Sequence, residues 1–417
     1  MENESYFLKK NKDRCCGCGA CVQVCKHNAL KMVESQDGFL YPVKDQLKCI
    51  ECGLCVTVCP YNVEYCNNTD YEQKCFIATT NKKEYYLESA SIGLCTMLSD
   101  SFIRMNGVVF GAYLDESTWK TYHIKVDTYE GVRLIRNSKY LQSNIKNTYI
   151  EVRECLNLGR NVLFIGTPCQ IVGLKKYLRK EYPSLYTIDI ICHGTFSPKL
   201  MNFEINYWQN LFQSKISNFK FRSKQVYKHN NGGMVNFDIY DGKSKCHVER
   251  FAGSSPTYKC YAYSGDGLAY NLRDCCYTCI FRNQKRYGDL TIGDPWGISS
   301  DIVKNKQILR NGIIRSLYFV NSLKGEKIIE KIAKYLIIQE VPCGAAFKQK
   351  ALLPISSIKP PFRDKLLACQ STEEYINLIE SYFNCTLEKE HINFKRLYKK
   401  NQIKRMVKYF FRYIKKL

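Results

Sequence analysis

Eight cysteines near the start of the chain have a spacing that suits iron–sulfur chemistry. They form two runs of the pattern Cys-x2-Cys-x2-Cys-x3-Cys. The runs consist of Cys15, Cys18, Cys21 and Cys25, and then of Cys49, Cys52, Cys55 and Cys59. A 4Fe-4S cluster needs four thiolates, and in doubled runs the fourth cysteine of each run binds the other cluster. The spacing therefore predicts one cluster on Cys15, Cys18, Cys21 and Cys59, and a second on Cys49, Cys52, Cys55 and Cys25.

Two other interpretations of these cysteines are a zinc site and a chance grouping of thiols. Zinc sites use four ligands, usually as Cys-x2-Cys pairs, whereas eight cysteines in a repeated spacing are typical of a bacterial-type two-cluster ferredoxin. Gly17, Gly19 and Gly53 allow the backbone to wrap closely around the clusters. Cys16 falls outside the pattern, so we predict that it is not a ligand.

The elements that must position these residues can be placed along the chain. Segments 29–33 and 39–43 flank a turn at Asp37-Gly38 and predict a short hairpin between the two cysteine runs. Apolar segments 162–165 and 186–191 predict buried strands, with a helix over 171–179 between them, as in a βαβ unit. Residues 215–262 contain more polar and turn residues and predict a loop-rich insertion.

Composition limits the class of protein. The chain has 417 residues, of which 45% are hydrophobic and 23 are cysteines. Its first residues are polar, and it contains no apolar run of about 18 residues, so we expect no signal peptide and no spanning helix. We therefore predict a cytoplasmic location, where cysteines are metal ligands or free thiols. The formal charge of +23 favours acidic redox proteins, nucleic acid or anionic lipid as partners, without selecting one.

Four further segments carry a resemblance to a known family. They are Gly-Thr-Pro-Cys-Gln at 166–170, Ile-Cys-His-Gly at 191–194, Cys-Tyr-Thr-Cys at 276–279, and Tyr-Gly-Asp-Leu-Thr-Ile-Gly-Asp-Pro-Trp-Gly at 287–297. Together they resemble the coenzyme F-420 hydrogenase/dehydrogenase beta-subunit family over about residues 75–345. The resemblance implies an FAD-binding flavoprotein with a third 4Fe-4S cluster beside the flavin.

The resemblance implies that the third cluster is bound by Cys169, Cys192, Cys276 and Cys279. The chain's own pattern agrees in part, because Cys169 and Cys192 each follow a predicted parallel strand. The carboxyl ends of such strands meet at one edge of a sheet, where ligands bind. Ordinary buried thiols are the alternative interpretation. Cys275 precedes the Cys-x2-Cys pair and is predicted not to be a ligand.

The flavin contacts follow from the resemblance alone, because no Gly-x-Gly-x-x-Gly motif follows a predicted strand. The implied cofactor-binding residues are Ser89, Ser91, Gly93, Ser138, Lys139, Tyr140, Gln142, Ser143, Gly293 and Asp294. Lys139 could neutralise a pyrophosphate or a reduced flavin. Arg222 and Lys224 are candidates for contact with an anionic substrate. No catalytic residue is predicted.

The predicted fold class is α+β/α/β, in three parts. A two-cluster ferredoxin fold over 1–66 precedes a larger mixed α/β flavin and iron–sulfur domain over 75–370, and a basic helical tail covers 371–417. From Lys395 to Lys416 there are ten Lys or Arg residues. Apolar residues recur among them at helical spacing, namely Ile403, Val407, Phe410, Ile414 and Leu417. Such a helix could contact an anionic membrane, or it could dock on its own domain or on a partner.

The predicted function is that of an iron–sulfur flavoprotein oxidoreductase. Electrons would pass between the ferredoxin-type clusters and an FAD that reduces or oxidises a deazaflavin-like or other organic substrate. The expected partner is a redox protein or a reduced deazaflavin or ferredoxin donor, and self-association is left open. The alternative is an electron-transfer subunit that has no substrate of its own and serves a partner enzyme. A nucleic-acid-binding iron–sulfur protein is a further alternative, but no nucleic-acid motif supports it and we expect no such partner.

Overall fold

The computed structural model describes residues 12–61, 71–224, 233–240, 242, 244–310, 314–354 and 357–414, with side chains as far as Asn401. The predicted linker at 66–70 and the start of the chain lie outside these residues. The predicted domain boundaries stay predictions. All cysteines within the described residues are free thiols.

The N-terminal part holds two short helices and one hairpin. Its elements are α1 (Ala20–Val24), β1 (Leu30–Glu34), β2 (Leu40–Lys44) and α2 (Leu54–Thr57), after a 3-10 turn at Lys12–Arg14. The hairpin predicted between the cysteine runs is confirmed, with Leu30 opposite Lys44 in antiparallel register. Gly19 and Gly53 precede the two helices with φ of 71° and 73°, a conformation that favours glycine. Each cysteine loop can therefore turn sharply into its helix.

The central part is built on an eight-stranded sheet in the order β13-β3-β12-β11-β7-β6-β4-β5. Its strands are β3 (Lys74–Thr79), β4 (Val108–Asp115), β5 (Lys120–Val126), β6 (Val162–Gly166), β7 (Leu185–Ile190), β11 (Leu290–Gly293), β12 (Ser316–Val320) and β13 (Ile337–Glu340). The four strands β4, β6, β7 and β11 run parallel, and antiparallel strands complete both edges. The predicted βαβ unit is confirmed as β6, α7 (Pro168–Leu178) and β7.

Helices cover both faces of this sheet. Those before α7 are α3 (Lys83–Tyr86), α4 (Leu94–Arg104), α5 (Tyr129–Ile135) and α6 (Thr148–Asn157). Those after β7 are α8 (Pro198–Phe212), α9 (Pro256–Ala262), α10 (Asp274–Tyr277), α11 (Lys306–Leu309), α12 (Leu323–Glu330), α13 (Cys343–Ala346), α14 (Phe362–Ala368), α15 (Thr372–Tyr382) and α16 (Leu387–Ile414). Three further 3-10 turns lie at Ala252–Ser254, Ala333–Tyr335 and Lys350–Leu352.

The alternation of strand residues divides the core into two layers. Val108 and Phe110 of β4 face one apolar cluster, whereas Val109 between them faces another. The first cluster also contains Cys18 and Ala20 of the N-terminal part. The iron–sulfur module therefore shares the core of the central sheet on its α7 side.

The prediction of a loop-rich insertion over 215–262 is wrong. Much of this region forms a three-stranded antiparallel sheet of β8 (Ser217–Lys220), β9 (Met234–Tyr240) and β10 (Lys245–Phe251), followed by α9. Its aromatic residues Phe219 and Phe237 stack with ring centroids 6.1 Å apart, over Trp208 of α8. The alternation of Phe237 and Ile239 with polar residues in β9 is a strand signal, but the high content of polar and turn residues across 215–262 obscures it.

The C-terminal helix α16 starts by docking on the central part. Lys259 Nζ lies 3.0 Å from Glu390 Oε1, and the Phe251 and Phe394 rings stack at 4.7 Å. The predicted helix is present from Leu387 to Ile414, but the apolar side chains predicted at 403–414 and residue Leu417 lie outside the described side chains. In the described parts of the chain, no helix is long and apolar enough to span a bilayer.

Candidate iron–sulfur and flavin site

The four cysteines predicted for one ferredoxin cluster line a single cavity against α7. Cys15, Cys18, Cys21 and Cys59 share its wall with Tyr61 and other residues, and we call them the inner cluster site. Burial raises the pKa of Cys21, and the nearby thiolates of Cys15 and Cys59 raise it further. Thiolates that face one another in this way repel, and cluster iron removes the repulsion. The arrangement fits the predicted ligand set.

The other four predicted ligands lie toward the surface, and we call them the outer cluster site. Burial and then the charges of Cys49 and Cys52 raise the pKa of Cys55, so these three thiols are neighbours. Cys52 is exposed to solvent. Cys25 Sγ accepts a hydrogen bond from Ala29 N–H at 3.4 Å. An electron donor outside the protein can therefore approach the outer cluster site more closely than the inner one.

The four cysteines implied by the family resemblance meet in the wall of a second, larger cavity, and we call them the third cluster site. Cys169 is the second residue of α7, and Cys192 follows the end of β7, so the parallel strands bring both to one sheet edge. Burial raises the pKa of Cys192, and the charges of Cys276 and Cys169 raise it further. Burial followed by the same two charges raises the pKa of Cys279 to about 12. All four thiols are therefore mutual neighbours.

Local structure explains how Cys192 and Cys276 come together. Gly194 has a φ of 113° and donates its N–H to Cys192 Sγ at 3.4 Å. A Cβ at Gly194 would lie 2.9 Å from Leu272 Cδ1 and 3.1 Å from Cys276 Cβ. Only glycine permits this close approach. A hydrogen bond from Cys275 lowers the pKa of Cys276 to about 7, which favours the thiolate that a metal binds.

The two cysteines predicted not to be ligands occupy the junction between these sites. The thiol of Cys16 is in hydrogen-bond contact with Cys169, and Cys16 and Tyr61 each line both cavities. Tyr61 donates its hydroxyl to the Cys275 carbonyl at 3.5 Å. No sequence spacing indicates this junction, because Cys16 and Tyr61 lie more than a hundred residues before Cys169 and Cys275. Within the described residues, no three Cys, His, Asp or Glu side chains are placed to hold a single metal ion.

The larger cavity has a volume of about 930 Å³ and runs from the third cluster site to the surface, and we call it the large cavity. All ten residues that the resemblance implies as flavin contacts line it. Several of them are also held by the protein. Ser143 Oγ lies 2.7 Å from His123 Nδ1, and Asp294 Oδ2 accepts a hydrogen bond from Arg222 at 2.7 Å. Their side chains therefore fix the shape of the wall.

The wall of the large cavity is strongly basic. In the part of the chain that the structure describes, seven Lys or Arg side chains line it, against a single acidic side chain, that of Asp294. The basic residues are Arg136, Lys139, Arg222, Arg273, Arg282, Arg286 and Lys350. Burial lowers the pKa of Lys139 to about 7, and burial followed by the charge of Arg222 does the same for Lys224 behind the wall. These depressed pKa values show that the two ammonium groups lack enough negative charge around them.

Two arginines on the wall carry unused donors. The Nε atoms of Arg136 and Arg282 are buried and have no hydrogen-bond partner among the described residues. Leu94, Cys95 and Thr96, the first turn of α4, also line the cavity, and Gly93 before them provides no side-chain cap. Uncapped N–H groups at a helix start favour an anion. The wall therefore fits a ligand that carries phosphate groups.

Comparison with known proteins identifies the chain's relatives. Residues 159–343 match the family described as the C terminus of the coenzyme F420 hydrogenase/dehydrogenase beta subunit, and residues 14–63 match the 4Fe-4S dicluster domain. Residues 159–343 thus carry the C-terminal domain of the F420 hydrogenase/dehydrogenase beta subunit, and a 4Fe-4S dicluster domain precedes it in the chain. The family resemblance and the ferredoxin-type module predicted from the sequence are confirmed, so the chain is an iron–sulfur electron-transfer protein of an oxidoreductase family.

Among solved structures, the chain is similar to the F420-reducing NiFe hydrogenase complex from Methanosarcina barkeri, at a TM-score of 0.40 and 16% identity. That similarity covers 76% of this chain and 90% of the other. No curated protein matches the chain.

Proposed function

We propose that the chain is an FAD-dependent oxidoreductase that exchanges electrons between a partner protein and an organic two-electron carrier. The observation that carries the proposal is the large cavity, whose wall contains the four cysteines of the third cluster site together with all ten implied flavin contacts. A bound flavin converts between the single electrons of iron–sulfur clusters and a hydride equivalent. A deazaflavin-like carrier is the substrate class suggested by the family description, and a cytoplasmic location stays a prediction.

Three properties of the wall support FAD as the ligand. The volume of about 930 Å³ is near the upper end of the range for small-molecule pockets, which suits a dinucleotide. The unused donors of Arg136 and Arg282 and the uncapped start of α4 suit a pyrophosphate. The rings of Tyr140, Tyr258 and Tyr261 lie within 5.2–6.1 Å of one another and give one side of the cavity an aromatic surface.

The chain's own residues would bind and orient the cofactor. Lys139 and Arg136 provide positive charge, and His123 holds Ser143 in place as a neutral ring, because burial lowers its pKa to about 4. Gly293 lies so close to Ile191 that a Cβ would be 2.6 Å from Ile191 Cδ1, so the backbone there can form a tight wall.

Anaerobic purification tests the proposal directly. We expect the full chain to contain FAD and about twelve iron atoms, the sum for three 4Fe-4S clusters. The variant Lys139→Met should lose affinity for FAD, whereas Lys304→Met, at an exposed lysine that does not line the cavity, should not. A folded, iron-replete protein that neither retains nor rebinds flavin would refute the proposal.

The second candidate is an electron-transfer subunit without its own substrate. It is favoured by the exposed Cys52 at the outer cluster site and by the charge of +23, which suits docking of an acidic redox protein. Single-turnover oxidation of the reduced chain by a deazaflavin separates the two functions. Electron transfer to the deazaflavin supports the oxidoreductase, whereas transfer only to a protein acceptor supports the second candidate.

A further inference from the structure

A buried arginine from the central part reaches across to the inner cluster site. Arg273 is 1% exposed and lies directly before α10, the helix that carries Cys276. Its Nε donates to the Cys15 carbonyl at 2.6 Å, and one terminal nitrogen lies 3.6 Å from Cys15 Sγ and 2.9 Å from the Leu40 carbonyl. Its other terminal nitrogen donates to Gln142 Oε1 at 2.7 Å. One guanidinium thus joins two segments of the module to the central part.

The surroundings of Arg273 are aromatic and sulfur-rich. The guanidinium carbon lies 4.1 Å from the centroid of the Tyr41 ring and 5.4 Å from that of Phe39. The ion pairs among the described residues include none for Arg273, although the neighbouring Asp274 pairs with Lys359 and Arg363. A buried cation is costly unless negative charge compensates it. The nearest such charge is the thiolate of Cys15, and with it any cluster bound there.

Neighbouring residues are shaped to keep Arg273 at Cys15. Gln142 accepts from Arg273 and donates to the Cys16 carbonyl. Gly17 has a φ of 64°, and a Cβ there would lie 2.4 Å from Gln142 Nε2 and 3.0 Å from the Arg273 terminal nitrogen. Any larger residue would push these groups away from the cysteine loop. The geometry therefore requires a glycine for the contact to form.

We propose that Arg273 is a positioning residue that raises the reduction potential of the cluster at the inner site above that of the cluster at the outer site. A 4Fe-4S cluster with four thiolates carries about −2 charge when oxidised and one more negative charge when reduced. A fixed cation and an N–H···S hydrogen bond stabilise the reduced form more than the oxidised form. The electron is thereby held next to Cys16 and Tyr61, at the junction with the third cluster site.

This inference rests on the cluster assignment and not on the presence of flavin. The test is an EPR-monitored redox titration of the anaerobically purified full chain, with iron content measured on the same sample. We expect Arg273→Gln to lower the potential of one cluster by about 59 mV or more, which is a tenfold shift in its one-electron equilibrium. Arg273→Lys keeps the positive charge but loses the planar set of guanidinium donors. The potential of the same cluster in this variant should therefore lie between its values in the native chain and in Arg273→Gln.

Two further variants keep the inference open to refutation. Arg363→Gln removes an arginine that is equally buried but pairs with Asp274, and we expect it to leave the cluster potentials unchanged. Gln142→Glu places a carboxylate beside Arg273 without removing the arginine, and should lower the same potential even if Arg273→Gln fails to fold. Unchanged potentials in Gln142→Glu and Arg273→Lys, or an equal shift in every cluster, would overturn the inference. Absence of flavin from the native chain, with the potentials shifted as expected, would instead count only against the proposed function.

Discussion

The depressed pKa of Lys139 should make the proposed flavin binding sensitive to pH. Burial lowers this pKa from 10.5 to about 7, so in the flavin-free protein the side chain loses its charge as the pH rises through 7. An anionic cofactor binds the protonated form, and its negative charge should restore the pKa toward the ordinary value. The unfolded chain binds more protons than the folded, flavin-free chain between pH 7 and 10.5, so the stability of that form should increase with pH in this window.

The size of the effect follows from the pKa of about 7. Between pH 7 and pH 9 the protonated fraction of Lys139 falls from about one half to about one hundredth, so the apparent dissociation constant for FAD should rise about 50-fold. Lys224 has a similarly lowered pKa and donates to the Ser91 carbonyl in the same wall, so it can add to the slope. His123 does not contribute, because its pKa of about 4 keeps it neutral throughout.

Flavin fluorescence measures this dependence. Cluster-loaded, flavin-depleted protein is titrated with FAD from pH 6 to pH 9, in the native chain and in Lys139→Met, Lys224→Met and the exposed-site control Lys304→Met. We expect Lys139→Met to bind more weakly at pH 7 and to lose most of the slope, and the control to retain both. A slope in Lys139→Met equal to that of the native chain would refute the assignment of Lys139 as a charge contact.

Three other outcomes are expected. Cys279→Ala should lower the iron content from about twelve to about eight atoms per chain. Cys260→Ala, which changes a fully buried thiol outside the proposed sites, should leave the iron content unchanged. An unchanged iron content in Cys279→Ala would contradict the prediction of a third cluster. Gly173→Ala places a Cβ 3.0 Å from the Sγ of an inner-site cysteine and should cost about 1–3 kcal/mol of stability by thermal unfolding, unlike Gly344→Ala, whose Cβ meets nothing within 4 Å. If the basic tail contacts membranes, the full chain should co-sediment with anionic vesicles and a chain ending at Asn401 should not; equal binding by both would end that hypothesis.

Local pattern was enough to predict the parts of the site that depend on short spacing. The cysteine runs, the hairpin at Gly38 and the βαβ unit around Cys169 each involve residues close in sequence, where turn chemistry and period decide the structure. The sheet order was not predictable in the same way. Strand β3 pairs with β12 and β13, which come from the far end of the central part, and nothing in the sequence of β3 specifies these neighbours.

The contacts that join the two parts had no sequence signal at all. Cys16 and Cys275 fall outside the ligand spacing, and Arg273 and Tyr61 belong to no motif. Their roles arise because the module packs its cysteine loop on α7 and α10, so that residues more than 200 positions apart touch. A pattern in one sequence predicts local structure, but it does not predict which residues far away in the chain a side chain will contact.

The packing of the module also predicts how electron transfer should respond to salt. Gly17 and Gly173 bring its cysteine loop into direct contact with Gln142 and with α7, so the proposed electron transfer between the inner and third cluster sites should need no docking step. Exchange with a partner at the outer site instead needs an encounter steered by charge, and screening shortens from about 10 Å at 0.1 M salt to about 3 Å at 1 M. The rate at which an acidic ferredoxin reduces the chain should therefore fall steeply with salt. After a small-molecule reductant has rapidly reduced the clusters, the rate at which they reduce the flavin should not depend on salt. A steep salt dependence of the second rate would show that the module must move before it transfers electrons.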